Sequence, residues 1–125
     1  MTDWTSDELN RVGQAEELDI SSVQADGVIG KATTIWVVRV GDDLYVRPVN
    51  GRSGAWFLGT QMRHEGHIEA DGISKDVVFV EVDPANAIND EIDAAYWEKY
   101  PQHSEYVPPV LTPKARAATI RLVPA

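Results

Sequence analysis

Lys31 to Trp56 reads KATTIWVVRVGDDLYVRPVNGRSGAW, and its alternation decides the fold class. Ile35, Val37 and Arg39 alternate with Trp36, Val38 and Val40. Leu44 and Val46 alternate with Tyr45 and Arg47. Alternation of this kind marks half-buried strands. Gly41-Asp42-Asp43 lies between them and tolerates the backbone angles of a tight reversal. Folding the pair about Asp42 sets Arg39 against Leu44, Val38 against Tyr45 and Trp36 against Arg47. One face is then Ile35, Val37, Leu44 and Val46, a core face. The other carries Trp36, Tyr45 and Arg47, an aromatic wall with a fixed cation.

Asn50-Gly51-Arg52-Ser53-Gly54 follows this hairpin. A glycine-rich turn can direct successive amides, a serine hydroxyl and a guanidinium at one phosphate. The same pentapeptide also reads as an ordinary hairpin turn.

Upstream, Trp4-Thr5-Ser6-Asp7-Glu8 opens a short helix. Thr5 and Glu8 have capping-box spacing, Leu9 and Val12 give an apolar stripe, and Trp4 is a core anchor. Leu18 to Gln24 reads as a strand, and Ala25-Asp26-Gly27 as a turn. Downstream, Ala55 to Gln61 and Gly66 to Ala70 read as two more strands. Lys75 to Val82 is a strand apolar on both faces, which places it centrally in its sheet. Asp83-Pro84 begins a helical region that runs to about Tyr100 with Ile88, Ile92, Ala95, Tyr96 and Tyr100 at helical spacing, and Pro101 ends it. Lys114 to Ala118 is a short helical turn, and Ala118 to Val123 a last strand. About six or seven strands with an N-terminal and one late helix make an α+β, mainly β, protein built on a barrel or strongly bent sheet.

The length of 125 residues suits one domain spanning 1–125, with a real hydrophobic core. The net charge of −9 argues against nucleic acid, whose phosphates need a basic surface. That charge is uneven, since residues 31–67 carry +2 while the flanking stretches 1–30 and 68–110 carry −6 and −8. A small anionic ligand suits such a basic island better than a polymer, although the arginines also read as partners of nearby carboxylates. Apolar runs such as Ile35 to Val38 are far too short to span a membrane. The acidic start MTDWTSDEL is unlike a signal peptide, so a cytoplasmic location is expected. There is no cysteine for disulfides or thiolate metal sites. His64 and His67 are three apart beside Gly66, without the helical spacing of a zinc motif, and no metal site is expected.

The order of strand, hairpin with LYVRPVNGRSGAW, further strands, an acidic helix ending AAYWEKY and an ATIRLVP tail resembles a family of small uncharacterised bacterial proteins common in actinobacteria. More distantly it is similar to the deazaflavin-dependent nitroreductases and the pyridoxamine 5′-phosphate oxidase-like flavin proteins. That resemblance implies a split β-barrel and a homodimer with a cofactor site at the subunit interface. It also implies FMN or a deazaflavin as cofactor and an oxidoreductase of nitroreductase or quinone-reductase type. By the same resemblance Arg47, Asn50, Arg52 and Ser53 would hold the cofactor phosphate, with Lys31 and Arg39 as further basic positions. Trp36, Tyr45 and Trp56 would wall its ring. The nitroreductase Gly-Arg-x-Ser-Gly signature is missing from the first strands, and GRSG at Gly51 lies one hairpin later. No catalytic side chain is expected, because the cofactor carries the chemistry. Two alternatives use the same fold. One is a cofactor-free module for a small anionic or aromatic molecule. The other is a structural dimer whose Trp36–Tyr45 face is the subunit interface.

Overall fold

The computed structural model describes residues 3–125. Helix α1 spans Ser6–Gln14 and opens with the expected capping box: the Thr5 hydroxyl accepts from the Glu8 amide, and the Glu8 carboxylate takes the Thr5 amide. Its Leu9 and Val12 are buried, and the indole N–H of Trp4 donates to the Leu122 carbonyl at 3.0 Å.

Seven strands follow: β1 Leu18–Ser22, β2 Thr33–Ile35, β3 Val38–Val40, β4 Asp43–Val46, β5 Glu65–Ala70, β6 Ile73–Glu81 and β7 Ile120–Pro124. They form one antiparallel sheet in the order β2-β1-β5-β6-β7-β4-β3. The strand read as central, β6, holds the middle of that order. The hairpin register is as the alternation predicts, with Val38 against Tyr45 and Arg39 against Leu44. β2 and β3 are consecutive in the chain yet lie at opposite margins of the sheet. The sheet therefore curls until two residues, Trp36 and Val37, bridge its margins, which makes it a split barrel.

The expected continuous strand through Ile35 to Val40 is thus broken, and the Trp36–Arg47 pair does not form. The backbone groups of Val37 explain the break, since buried polar groups must find partners somewhere. Those of Val37 are taken by helix α3, Ile88–Lys99, and its cap Tyr100. The Val37 carbonyl accepts from the Lys99 ammonium and lies 3.2 Å from the Tyr100 hydroxyl. That hydroxyl also receives the Val37 amide at 3.4 Å and donates to the Glu16 carbonyl at 2.9 Å. The Trp36 ring stacks on Tyr100 at 3.9 Å, nearly parallel.

Two apolar layers result. Inside the curl, Leu18, Ile20, Leu44, Val46, Ile68, Val77, Phe79, Ile120 and Leu122 form the main core under α1. On the outer side Ile92, Tyr96 and Tyr100 press on Val38 and Tyr45, with Val107 and Val110 closing the layer. The face read as an open aromatic wall is therefore largely a helix-packing face.

Ala55–Arg63 is a helix, α2, where a strand was expected. Phe57 and Thr60, one turn apart, are its buried positions, while Leu58 and Met62 on another side are exposed. It carries the chain from the end of β4 to β5, which lies three places away in the sheet. A short helix α4, Pro113–Arg116, capped by Thr112, precedes β7. No helix among the described residues is long and apolar enough to cross a membrane.

Two outcomes are expected. A Cβ at Gly66 would fall 2.0 Å from the Ser21 carbonyl oxygen and 2.5 Å from the Phe79 ring. Gly66→Ala is therefore expected to lower the unfolding free energy by about 1–3 kcal/mol or more, read by urea denaturation. Burial pushes the Lys99 ammonium down from 10.5 to about 8. Between those values the unfolded chain binds the extra proton, so the cost of Lys99 is full below the folded value and fades as pH rises through the window. Lys99→Met should raise the denaturation midpoint at neutral pH and flatten its alkaline rise. Lower stability at neutral pH would show instead that the bond to Val37 outweighs the burial.

Candidate functional site

Where β4 ends, Arg47 and Pro48 turn the chain out of the sheet, because proline offers no ladder donor. Val49 and Asn50 continue outward to a single 3₁₀ turn at Gly51–Ser53. Gly51 adopts φ +66°, and a Cβ there would stand 2.3 Å from the Lys114 side chain, so only glycine fits. Gly54 then starts α2 with no side-chain cap. Facing this stretch are Thr33–Trp36 and the proline-rich segment after α3, represented by Tyr106, Pro109 and Val110. Between them lies a pocket of about 520 Å³. Its walls are mostly apolar or aromatic (Ile35, Trp36, Val49, Trp56, Tyr106), and Asn50, Thr33 and the first residues of α2 bring the neutral polar groups. This is the usual character of a small-molecule site.

Of the residues picked out in the sequence, Trp36, Arg47, Asn50 and Trp56 line this pocket. Tyr45, Arg52 and Ser53 do not. Tyr45 is buried in the α3 layer. Arg52 turns away to Glu81 at 2.7 Å and the Ala117 carbonyl at 3.2 Å, with its guanidinium over the Phe57 ring. The Ser53 hydroxyl is spent on the Asn50 carbonyl. Lys31 and Arg39 also lie outside the lining, and Arg39 bonds the Gly41 carbonyl and Asn10.

Arg47 is the charged residue of the lining, and it is buried. Its Nε donates to Thr119 Oγ1 at 2.9 Å. Nη1 donates to Asp93 and to the Val110 carbonyl. Nη2 donates to the carbonyl and side chain of Asn89. A guanidinium has five N–H donors, and these five bonds use them all. The Tyr96 ring lies 5.8 Å beneath the guanidinium carbon. Arg47 thus ties β4 to α3, the proline-rich segment and the residue before β7. It is a structural knot, with no donor left for a phosphate.

The pocket's remaining electropositive feature is the start of α2. The first amides of a helix have no partner within it, and its dipole favours an anion there. Burial raises the hydroxyls of Tyr96 and Tyr100 well above the ordinary tyrosine value. Tyr96 Oη is fully buried and has no hydrogen-bond partner among the described residues. The sequence reading missed Thr33, Tyr106, Pro109 and the uncapped helix start. The prolines at 101–113 mark a connection, but their spacing does not tell which surface it crosses.

Residues 8–122 match the family described as "Uncharacterized protein conserved in bacteria (DUF2255)", and the chain belongs to that family. No curated protein matches it. Among solved structures it is similar to HutZ, the heme storage protein from Vibrio cholerae, with TM-score 0.68, 14% identity and coverage of 96% of this chain and 89% of that one. It is similar also to an F420-H2 dependent reductase, FDR-A, with TM-score 0.62, 13% identity and coverage of 86% and 93%. The FAD and heme binding protein from Mycobacterium smegmatis gives TM-score 0.56, 18% identity and coverage of 97% and 66%. At these identities the likeness shows the shared split-barrel fold alone.

Removing Arg47 would take from Asp93 its close ion pair, leaving Arg116 at 3.8 Å, and would leave Asn89 Oδ1 to the Thr119 hydroxyl at 3.3 Å. Arg47→Met is expected to cost about 3–5 kcal/mol. Arg52→Ala, breaking an exposed pair, should cost about 1 kcal/mol or less. Paired urea titrations test this, and equal effects of the two changes would refute the knot.

Proposed function

We propose that the pocket beside Trp36 and Trp56 holds a flat aromatic redox cofactor of the flavin or deazaflavin type, and that the protein acts through it as an oxidoreductase. The observation that carries this reading is the pocket itself: a slot walled by aromatic and aliphatic groups, with an uncapped helix start at one side. The residues present fit such a group, though by other means than an arginine clamp. Ile35, Trp36, Val49, Trp56 and Tyr106 offer a ring flat apolar surfaces. The amides at the start of α2, with Asn50 and Thr33, offer an anionic tail neutral donors. When bound, a flavin or deazaflavin supplies the hydride chemistry. The chain's own task is to orient the ring, keep water from it and hold the tail. Arg47 contributes by keeping the wall rigid. The likeness in fold to a reductase and to a FAD-binding protein supports the reading.

The reading extends to a homodimer. Leu58 and Met62 stand exposed one turn apart on α2. The neighbouring loop, tied to α2 by Arg63 donating to the Ala25 carbonyl, exposes Val28 and Ile29. An apolar surface of this kind suits a second copy. A cofactor-free pocket for an uncharged aromatic molecule is the second reading, and the full commitment of Arg47 to protein acceptors favours it.

Titration with FMN and, separately, with F420 decides between them, followed by absorbance, tryptophan fluorescence and melting temperature. Cofactor at about 100 times its Kd should stabilise the fold by about 2.7 kcal/mol. Trp56→Ala should weaken binding about tenfold, the worth of one stacked aromatic contact. No spectral change and no stabilisation by either molecule at saturation would leave the cofactor-free reading.

A further inference from the structure

The outer face of β5 and β6 carries a second cluster, made of residues that do not line the pocket. His67 on β5 stands directly opposite Asp76 on β6, and Ser74 is the previous residue of β6 on the same face. Asp76 Oδ1 is 2.8 Å from His67 Nδ1, and Ser74 Oγ is 2.7 Å from His67 Nε2. Carboxylate, imidazole and hydroxyl are thus joined in series through the two different ring nitrogens. This is the order that fixes a histidine tautomer and turns its other nitrogen on a serine proton.

We propose that Ser74 is a nucleophile activated by His67, with Asp76 as the positioning residue, and that the site cleaves small esters bearing a positive charge. Ser74 is exposed, so a substrate can reach it. The single hydroxyl proton has a second acceptor, Glu69 Oε1, at the longer distance of 3.3 Å. Ser21 of β1 faces His67 in the register and carries no charge. The substrate class follows from the hollow that adjoins Ser74, about 510 Å³ in volume. Glu17, Asp19, Glu69 and Asp71 line it, and no basic residue does. Arg11 approaches Gly72 at its rim but is paired with Asp7. Such a field attracts an ammonium group and repels a carboxylate.

In the proposed step Ser74 Oγ bonds to the ester carbonyl carbon while its proton passes to His67 Nε2. The bond from that carbon to the alcohol oxygen then breaks, and His67 returns the proton to the leaving alcohol. Water repeats the sequence on the acyl-serine, releasing the acid and restoring Ser74. β7 pairs with β6 over Val77–Glu81 and the Ala125 amide reaches the Asp76 carbonyl, so the side of β6 free of a neighbouring strand begins before Asp76, at Ser74. Backbone amides on that side are the donors open to a developing oxyanion.

The test uses the whole chain and an alkyl fluorophosphonate, with the labelled residue located by mass spectrometry. Oγ–P bond formation with loss of fluoride is expected at Ser74 and not at the exposed Ser6 or Ser104. His67→Asn should slow it about 100-fold or more, the worth of a general base. Asp76→Asn should slow it by about 100-fold or more, since losing the carboxylate that fixes the tautomer costs up to about 10⁴-fold, and Asp76→Glu should recover part of the rate. These side chains lie on an exposed face, and an unchanged melting temperature in each variant shows that the fold is intact. Aryl esters with a trimethylammonium, a neutral or a carboxylate group then test the substrate class, with the first hydrolysed fastest and the preference lost in high salt. Labelling of Ser74 no faster than of Ser6, or equal labelling in His67→Asn, overturns the nucleophile. A preference for the carboxylate ester overturns the cationic substrate.

Discussion

The seating of the Val37 backbone on the Tyr100 hydroxyl, with Lys99 as a further partner, is the constraint around which the split barrel is arranged. The alternation of Ile35 to Val40 alone would suit one continuous strand. With Val37 so seated, two residues link β2 at one margin to β3 at the other. The groups responsible, Lys99 and Tyr100, end α3, so the same contact fixes where that helix lies. Trp36, stacked on Tyr100, then has only one way to face, and it becomes a wall of the pocket. Closure of the sheet, placement of the helix and shape of the pocket are consequences of one local event.

Arg47 plays the corresponding part at the other end of α3. A buried guanidinium is tolerable only when its charge and donors are fully met. Meeting them required groups from three further parts of the chain: Asn89 and Asp93, Val110, and Thr119. The pocket wall gains rigidity and loses a free cation by the same bonds. Electrostatic attraction in the pocket is thereby left to peptide dipoles, which select by geometry more than by charge.

What could be read in the sequence was local and periodic. The alternation around Asp42 gave the Val38–Tyr45 register, Thr5 and Glu8 gave the first helix, and the doubly apolar run at Val77 gave the central strand. The helix at Ala55–Arg63 was hidden because its cap is a glycine with no side-chain signal, and because Trp56, Phe57 and Thr60 favour strands. Tertiary context overrode that preference. Arg47 was visible as a cation in a strand. Its partners lie 42 to 72 residues further on, and no spacing rule connects them. Likewise His67 was weighed only against His64. Its actual neighbour, Asp76, is brought opposite it by the hairpin turn at Asp71-Gly72.

The two marginal strands, β2 and β3, are three residues long each. A sheet this size ordinarily leaves a row of unpaired amides and carbonyls that can recruit a strand from another molecule. Here that row is short on both sides, and it ends where Val37 is already claimed by α3. The bend that shapes the pocket is thus also what keeps the two marginal strands short. Short marginal strands offer little template for adding a further strand at either end of the sheet.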